Sequence, residues 1–396
     1  MKKVVTGILI ALAASMVFAN GAKDGGSAGT AKAIESAKTM SHDQLVAKAK
    51  EEAAAAKASG TVFKVYGTSS RIADAGKAFT AQYGIEVQAT NVKDSEIYTK
   101  LEAEIGAKAD GADVVLTQNG AIMKVQMVET GYLLNYVPAA YEKEMHLEDK
   151  NPLVQQYINK LFIYNTKGSD VPVITNVWQL CEPKMKGRIF FKSPETETVN
   201  ENFLIMLTSP AWADKLAKAY KNLYGKDIQL GSYKNAGYKW VAEFLTNCSF
   251  GNSDTTMAEQ LSSDEAAGKT GLFVFSKLRS KTVKVDNLEV DAFAADSKNT
   301  KVEPFAGFMY PLYAMIVKTT TMPYTAMLFV EHLESPNGFE PWGKSIGAYS
   351  ANNSIPANSG DKPLTYWKER LVMEDPDYIN KSYADVFEFI SKYLSK

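Results

Sequence analysis

From residue 62 onward, apolar and polar positions fall in short blocks whose period switches between two and about 3.6. Val62-Phe63-Lys64-Val65-Tyr66 reads as a strand, Gly67-Thr68-Ser69-Ser70-Arg71 as a polar loop, and Ile72 to Tyr83 as an amphipathic helix. Gly84 stops that helix, and Ile85-Glu86-Val87-Gln88-Ala89 alternates again as a strand. Asp94 or Ser95 is placed to cap a helix with Ile97, Leu101 and Ile105 on one stripe. Asp113-Val114-Val115-Leu116-Thr117 is a buried strand, Gln118-Asn119-Gly120 a turn, and Ala121 to Thr130 a helix ended by Gly131. Strand and helix alternating at this spacing predict an α/β fold with a parallel sheet and right-handed crossovers. Ligands of such sheets lie beyond the carboxyl ends of strands, where Gly67 to Arg71 and Gln118 to Gly120 both fall.

A second set of elements follows. Leu161-Phe162-Ile163-Tyr164-Asn165 is a strand, after which Pro172, Trp178, Pro183 and Gly187 punctuate the chain. Arg188-Ile189-Phe190-Phe191 opens a new strand, and Lys192 to Thr198 is a polar loop leading into the apolar stretch Phe203 to Leu207. Gly271 to Phe275 and Phe308 to Val317 read as further strands, and Pro323 as a helix start. At the end, Tyr383, Val386, Ile390 and Leu394 recur at helical spacing.

With 396 residues the chain is long enough for two domains. Lys plus Arg (44) nearly balance Asp plus Glu (45), so nothing marks nucleic acid or an acidic membrane surface as a partner. Met1-Lys2-Lys3, the apolar run Val4 to Val17 and Val17-Phe18-Ala19 read as a secretory signal peptide, residues 1–19, the run being short of the ~20 residues that span a bilayer. Its removal leaves 42 basic against 45 acidic side chains. The expected product is a soluble periplasmic protein without the cysteine that lipoproteins acylate. Residues 20–42, rich in Gly, Ala, Ser and Lys, are expected as a flexible arm. Cys181 and Cys248 form one disulfide or stay as two buried thiols; the sequence leaves both open.

The loop Gly67, Thr68, Ser69, Ser70, Arg71 joins a turn-forming glycine, hydroxyl donors and a helix N-terminus, a combination that suits an anion and equally suits a plain helix cap. Catalytic patterns are few. Gly343-Lys344-Ser345-Ile346-Gly347 matches the G-x-S-x-G pattern, but Pro341-Trp342 precedes the serine in place of a strand. The histidines, His42, His146 and His332, all come earlier than a hydrolase triad of that order requires. His332 reads as a surface or capping residue, and Glu195 and Glu197 as solvated faces or caps. Phosphate-loop, dinucleotide and zinc-helix motifs are missing, so binding is favoured over chemistry.

In order along the chain come the exported leader, Ala49-Lys50-Glu51-Glu52 before Gly60, strand-Gly67-Thr68-Ser69-Ser70-Arg71-helix, Gly84-Ile85-Glu86-Val87 and Gly111-Ala112-Asp113-Val114-Val115. Gly131-Tyr132-Leu133-Leu134-Asn135-Tyr136, Tyr164-Asn165-Thr166 and Lys186-Gly187-Arg188-Ile189 follow. This series, over about residues 45 to 350, resembles the substrate-binding proteins of bacterial ABC transporters, in the branch that includes ferric-iron, polyamine, thiamine and phosphosugar receptors. The resemblance implies an α/β, type II periplasmic-binding-protein fold: two lobes, a hinge and an interlobe cleft. The expected divisions are lobe 1 over 43–163, lobe 2 over 164–305, a return to lobe 1 over 306–350 and a C-terminal helical segment over 351–396.

The same resemblance implies a monomer that takes a small-molecule solute to an ABC permease and its ATPase, with no enzyme activity and no cofactor. Iron-binding members carry two adjacent tyrosines after the strand matched by Gly271 to Phe275, where this chain reads Ser276-Lys277-Leu278-Arg279, which suits an anion better than ferric iron. Expected ligand-binding residues are Gly67, Thr68, Ser69, Ser70, Arg71, Gln118, Asn119, Ser193, Thr196, Ser276, Lys277, Tyr310 and Tyr313. Tyr310, Tyr313, Trp342 and Tyr349 fall near the hinge, to stack on a ligand or pack between lobes. Ferric-iron or polyamine binding, or presentation of a ligand to a sensory receptor, are the alternative readings.

Overall fold

The computed structural model describes residues 25–167, 174–281, 283, 288–290 and 302–394. The expected signal peptide lies outside them. The strands are β1 (Phe63–Gly67), β2 (Val87–Asn91), β3 (Val114–Thr117), β4 (Leu133–Leu134), β5 (Val154–Asn165) and β6 (Ile189–Lys192). After them come β7 (Cys248–Gly251), β8 (Thr270–Val274), β9 (Leu288–Val290), β10 (Gly307–Val317), β11 (Ala348–Ser350) and β12 (Val372–Met373).

Two parallel groups are joined through two long strands. β2, β1 and β3 are parallel, and β10 closes the group antiparallel to β3. β7, β6 and β8 form the second parallel group, closed by β5 antiparallel to β8. β5 and β10 pair with each other from Val154↔Tyr313 to Leu161↔Gly307, so the part of β10 that pairs with β3 and the part of β5 that pairs with β8 lie at opposite ends of their shared ladder. On its other edge β5 pairs with β11 at Gln156 to Ile158 and with β8 from Lys160 to Tyr164. The expected boundary at 163/164 therefore falls inside β5, after its pairing with β8 has begun.

Sequence chemistry explains the crossing. Pro311, which has no N–H to give, sits in the middle of β10, and the register shifts just beyond it, between Leu312 and Tyr313. Gly307 has φ +152°, and a Cβ there would stand 2.1 Å from the Lys160 carbonyl oxygen. Only glycine lets the two strands approach this closely. Large apolar side chains such as Leu161, Phe162, Phe308 and Met315 pack around the crossing, each fully buried one contributing about 1.5–3 kcal/mol.

Four sequence expectations change. The segment expected as a flexible arm holds a helix, Gly25–Ala37, whose Ala33, Ile34 and Ala37 are buried and whose Thr30 hydroxyl donates to the Lys318 carbonyl at 3.1 Å. Its small residues hide an apolar stripe of alanines. The helix over Asp94–Ala107 is preceded by Lys93 without a side-chain cap, so neither Asp94 nor Ser95 caps it. The stretch expected as one helix from Ala121 is a short turn, Gly120–Ile122, running into a π-helix, Met123–Val128. His332 is not on the surface: it is buried against Phe79 and Phe329, and burial pushes its pKa down to about 4. Cys181 and Cys248 are free thiols, and burial holds both well above the usual thiol range.

The C-terminal helix, Pro376–Leu394, packs on both lobes. Asp377 pairs with Lys124 and Asn380 donates to the Ala121 carbonyl at 2.9 Å on one side. Tyr378 bonds Thr208 at 3.0 Å on the other. Among the described residues no helix is long and apolar enough to cross a membrane.

Candidate functional site in the interlobe cleft

A cavity of about 760 Å³ opens between the lobes. The carboxyl ends of β1, β2 and β3 supply one wall through Thr68 to Arg71, Asn91 to Ser95 and Gln118. β6, β7 and β8 supply the other through Lys192, Glu195 to Glu197, Asn252, Asp254 and Val274 to Lys277. Ile158 of β5 and Tyr310 and Leu312 of β10 form the floor, with Trp342 at the side.

Of the expected residues, Thr68, Ser69, Ser70, Arg71, Gln118, Thr196, Ser276, Lys277 and Tyr310 line this cavity together. Gly67, Asn119, Ser193 and Tyr313 do not, and each has a structural task. A Cβ on Gly67 would lie 2.9 Å from the Ile72 Cβ, so the glycine lets the helix Arg71–Tyr83 start directly on the strand end. Asn119, at φ +61°, accepts from the Ile122 N–H at 3.3 Å. Ser193 Oγ accepts from the Glu195 N–H at 3.3 Å, and Tyr313 presses its hydroxyl on Gly120.

In the first loop, Ser70 makes no side-chain cap, whereas Ser69 Oγ accepts from the Arg71 N–H at 3.3 Å. The Arg71 guanidinium donates to Ser345 Oγ at 3.2 Å. Ser345, the serine of the G-x-S-x-G pattern, therefore lies just past the helix Pro336–Gly343, with an arginine as its partner and no strand before it. Burial pushes the Arg71 guanidinium below its ordinary range. Burial also lowers Lys277, and Arg71 adds to this while Asp254 opposes it. Lys277 Nζ donates to Thr255 Oγ1 at 2.6 Å. Among the described residues neither cation has a carboxylate within ion-pair distance.

Sequence reading missed the other charges of the cleft. Lys160 of β5 has no solvent exposure, and its ammonium lies 3.1 Å from Glu197, 3.6 Å from Asp254 and 2.9 Å from Asn200 Oδ1. Glu197 also pairs with Lys192. Burial alone would raise Glu197, but Lys160 and Lys192 overcome it and hold the carboxyl below its usual range. Asp94 accepts from the Thr198 hydroxyl across the cleft, and burial pushes its pKa up to about 6. The signal available was position: Asn91 to Ser95 and Asn252 to Asp254 follow strands in the same way as Gly67 to Arg71.

No protein-family model matches the chain, and no curated protein sequence matches it significantly. Solved structures do match. The apo ferric ion-binding protein A of Pasteurella haemolytica superposes with a TM-score of 0.61 at 12% identity, over 84% of this chain and 97% of that one. The periplasmic binding protein AfuA from Actinobacillus pleuropneumoniae, with fructose-6-phosphate bound, gives 0.59 at 15% identity over 84% and 98%. A ferric binding protein from Campylobacter jejuni gives 0.58 at 14% over 84% and 99%. The chain has the type II periplasmic-binding-protein fold, its two α/β lobes joined by β5 and β10 around the cleft.

Proposed function

We propose that the protein is an exported solute receptor that captures a small anionic solute in the interlobe cleft and delivers it to an ABC-type permease and its ATPase. The observation that carries this reading is the pair Arg71 and Lys277: two half-buried cations on facing lobes, neither at ion-pair distance from a carboxylate among the described residues, at a cavity of metabolite size. Like charges facing across a cleft resist its closure. An anion between them turns that repulsion into two charge-assisted hydrogen bonds. The solute then favours the closed state because only that state reaches it from both lobes, and the hinge motion needs no bond made or broken.

Solved neighbours that include a ferric binding protein and a periplasmic binding protein with fructose-6-phosphate bound support a receptor role of this kind. The loop after β8 presents Ser276 and Lys277 to the cavity, which favours an anion over ferric iron. The test is a thermal-shift screen of anionic metabolites with mass spectrometry of any solute released from gently purified protein. Anions are expected to raise the melting temperature by mass action, and Arg71→Ala is expected to abolish the shift. No shift from any anion, or an unchanged one in Arg71→Ala, overturns the reading.

A further inference from the structure

The cleft also holds enclosed carboxylate oxygens that the anion reading leaves unused. Asp94 receives the Thr198 hydroxyl on Oδ2 and has the Gln118 side chain close by as a weaker polar neighbour, while its Oδ1 is enclosed and accepts no hydrogen bond of normal length. Asp254 has Oδ2 3.6 Å from the Lys160 ammonium, and its Oδ1 is likewise enclosed and unpartnered. Glu197 differs, since Lys160 and Lys192 satisfy it from both sides. Among the described residues the cleft therefore has two cations with no carboxylate at ion-pair distance and two carboxylates each with one oxygen short of a donor.

Their placement puts both sets within one small molecule. Gly67 and Asn91 are register partners on adjacent parallel strands, about 4.8 Å apart, and Arg71 and Asp94 follow them by four and three residues. On the facing wall Asp254 lies three residues past Gly251, itself in register with Lys192, and Thr255, the residue after Asp254, holds the Lys277 ammonium.

We propose that the cleft selects a zwitterionic solute, a phosphate, phosphonate or carboxylate between Arg71 and Lys277 with a protonated amine on the same molecule at Asp94 and Asp254. This rests on the reading of the cleft as a solute site and names the solute's chemistry. A neutral hydroxyl could donate to either Oδ1, but it would leave the Asp94 carboxylate charged, enclosed and without a cation on closure, whereas Asp254 already has the Lys160 ammonium beside it. An uncompensated buried charge costs on the order of several kcal/mol, more than one neutral hydrogen bond returns. An ammonium supplies both the donor and the compensating charge.

Calorimetric titration of solute-stripped protein tests this with 2-aminoethyl phosphate and 3-aminopropyl phosphate against ethyl phosphate, propyl phosphate and glucose 6-phosphate. At neutral pH the better aminoalkyl phosphate is expected to bind at least about tenfold tighter than its alkyl counterpart. That ratio is expected to collapse towards one in Asp94→Asn and to shrink in Asp254→Asn, two isosteric variants whose folding is checked by their melting curves. Arg71→Ala is expected to weaken every phosphate alike. The zwitterion proposal is overturned if wild-type protein prefers an alkyl phosphate or glucose 6-phosphate, or if the ratio survives both substitutions. In those outcomes anions still bind and the receptor reading stands. If no phosphate binds, the zwitterion proposal fails, and if in addition no anion shifts the melting temperature, the receptor reading fails with it.

Discussion

The Thr198 hydroxyl donates to the Asp94 carboxylate across the cleft, tying the first residue of a lobe 2 helix to the first residue of a lobe 1 helix. This bond exists only when the lobes are together. Thr198→Val keeps the shape and removes the donor, so the closed state loses roughly 1.5–3 kcal/mol for a hydrogen bond to a charged group. Solute affinity is expected to fall at least about tenfold with little change in the melting temperature of the empty protein. Titration calorimetry and small-angle scattering of the solute-free form check this, the scattering showing a larger radius of gyration in the variant.

Stability should fall as pH rises through neutrality. Burial pushes Glu201 up to about 7 and Glu374 up to about 8, both above the 4.5 of a free glutamate. Groups raised in this way stabilise the fold fully below their unfolded pKa, and that contribution is lost as pH climbs through the folded value. His332, pushed down to about 4 from 6.5, acts in the opposite sense and costs stability as pH falls through that range. Two raised carboxyls outweigh one lowered imidazole, so urea unfolding is expected to show its highest stability at about pH 4.5 or below and a steady fall from there to about pH 8. Between about pH 6 and 8.5 the loss should flatten in Glu374→Gln, each unit of pKa shift being worth about 1.4 kcal/mol.

Lys160→Met tests the buried cation at the hinge. It leaves Glu197 with one cation in place of two and Asp254 with none inside 4 Å. Breaking a buried pair from one side costs about 3–5 kcal/mol. Chemical denaturation should show a loss of that order, and the double variant Lys160→Met with Asp254→Asn should recover part of it.

How far the sequence reveals this architecture depends on how local the signal is. β1 and the loop Gly67 to Arg71 are legible because an alternating run meets a glycine, three hydroxyls and an amphipathic helix within a few residues. The first part of β5 is hidden: Gln155, Gln156, Asn159 and Lys160 break any apolar pattern, yet all four are buried, because the hinge encloses polar side chains among the two lobes. Lys277 is legible as a cation after a strand. Asp94 and Glu197 look like helix-start acids, and only the meeting of the two lobes shows that they share a cleft.

Gly307→Ala is expected to be severely destabilising. The added methyl would meet backbone, at 2.1 Å from the Lys160 oxygen and 2.9 Å from the Leu161 Cα, and no side-chain rotation relieves it. A loss of more than about 4 kcal/mol places it among the exceptional substitutions. Gly60→Ala, also at positive φ but with open space around it, is the control and should cost far less; paired urea curves compare the two.

The helix Pro376–Leu394 carries a mechanical consequence. Lobe 1 grips it at Asp377 and Asn380, and lobe 2 at Tyr378, all within one turn of the rod. When two bodies swing apart, a rigid piece fastened to both survives intact only where their relative displacement vanishes. The rotation axis must therefore pass close to Asp377 to Asn380. This helix is the fulcrum of the two lobes, and a small angular change there becomes a wide excursion at the lips of the cleft.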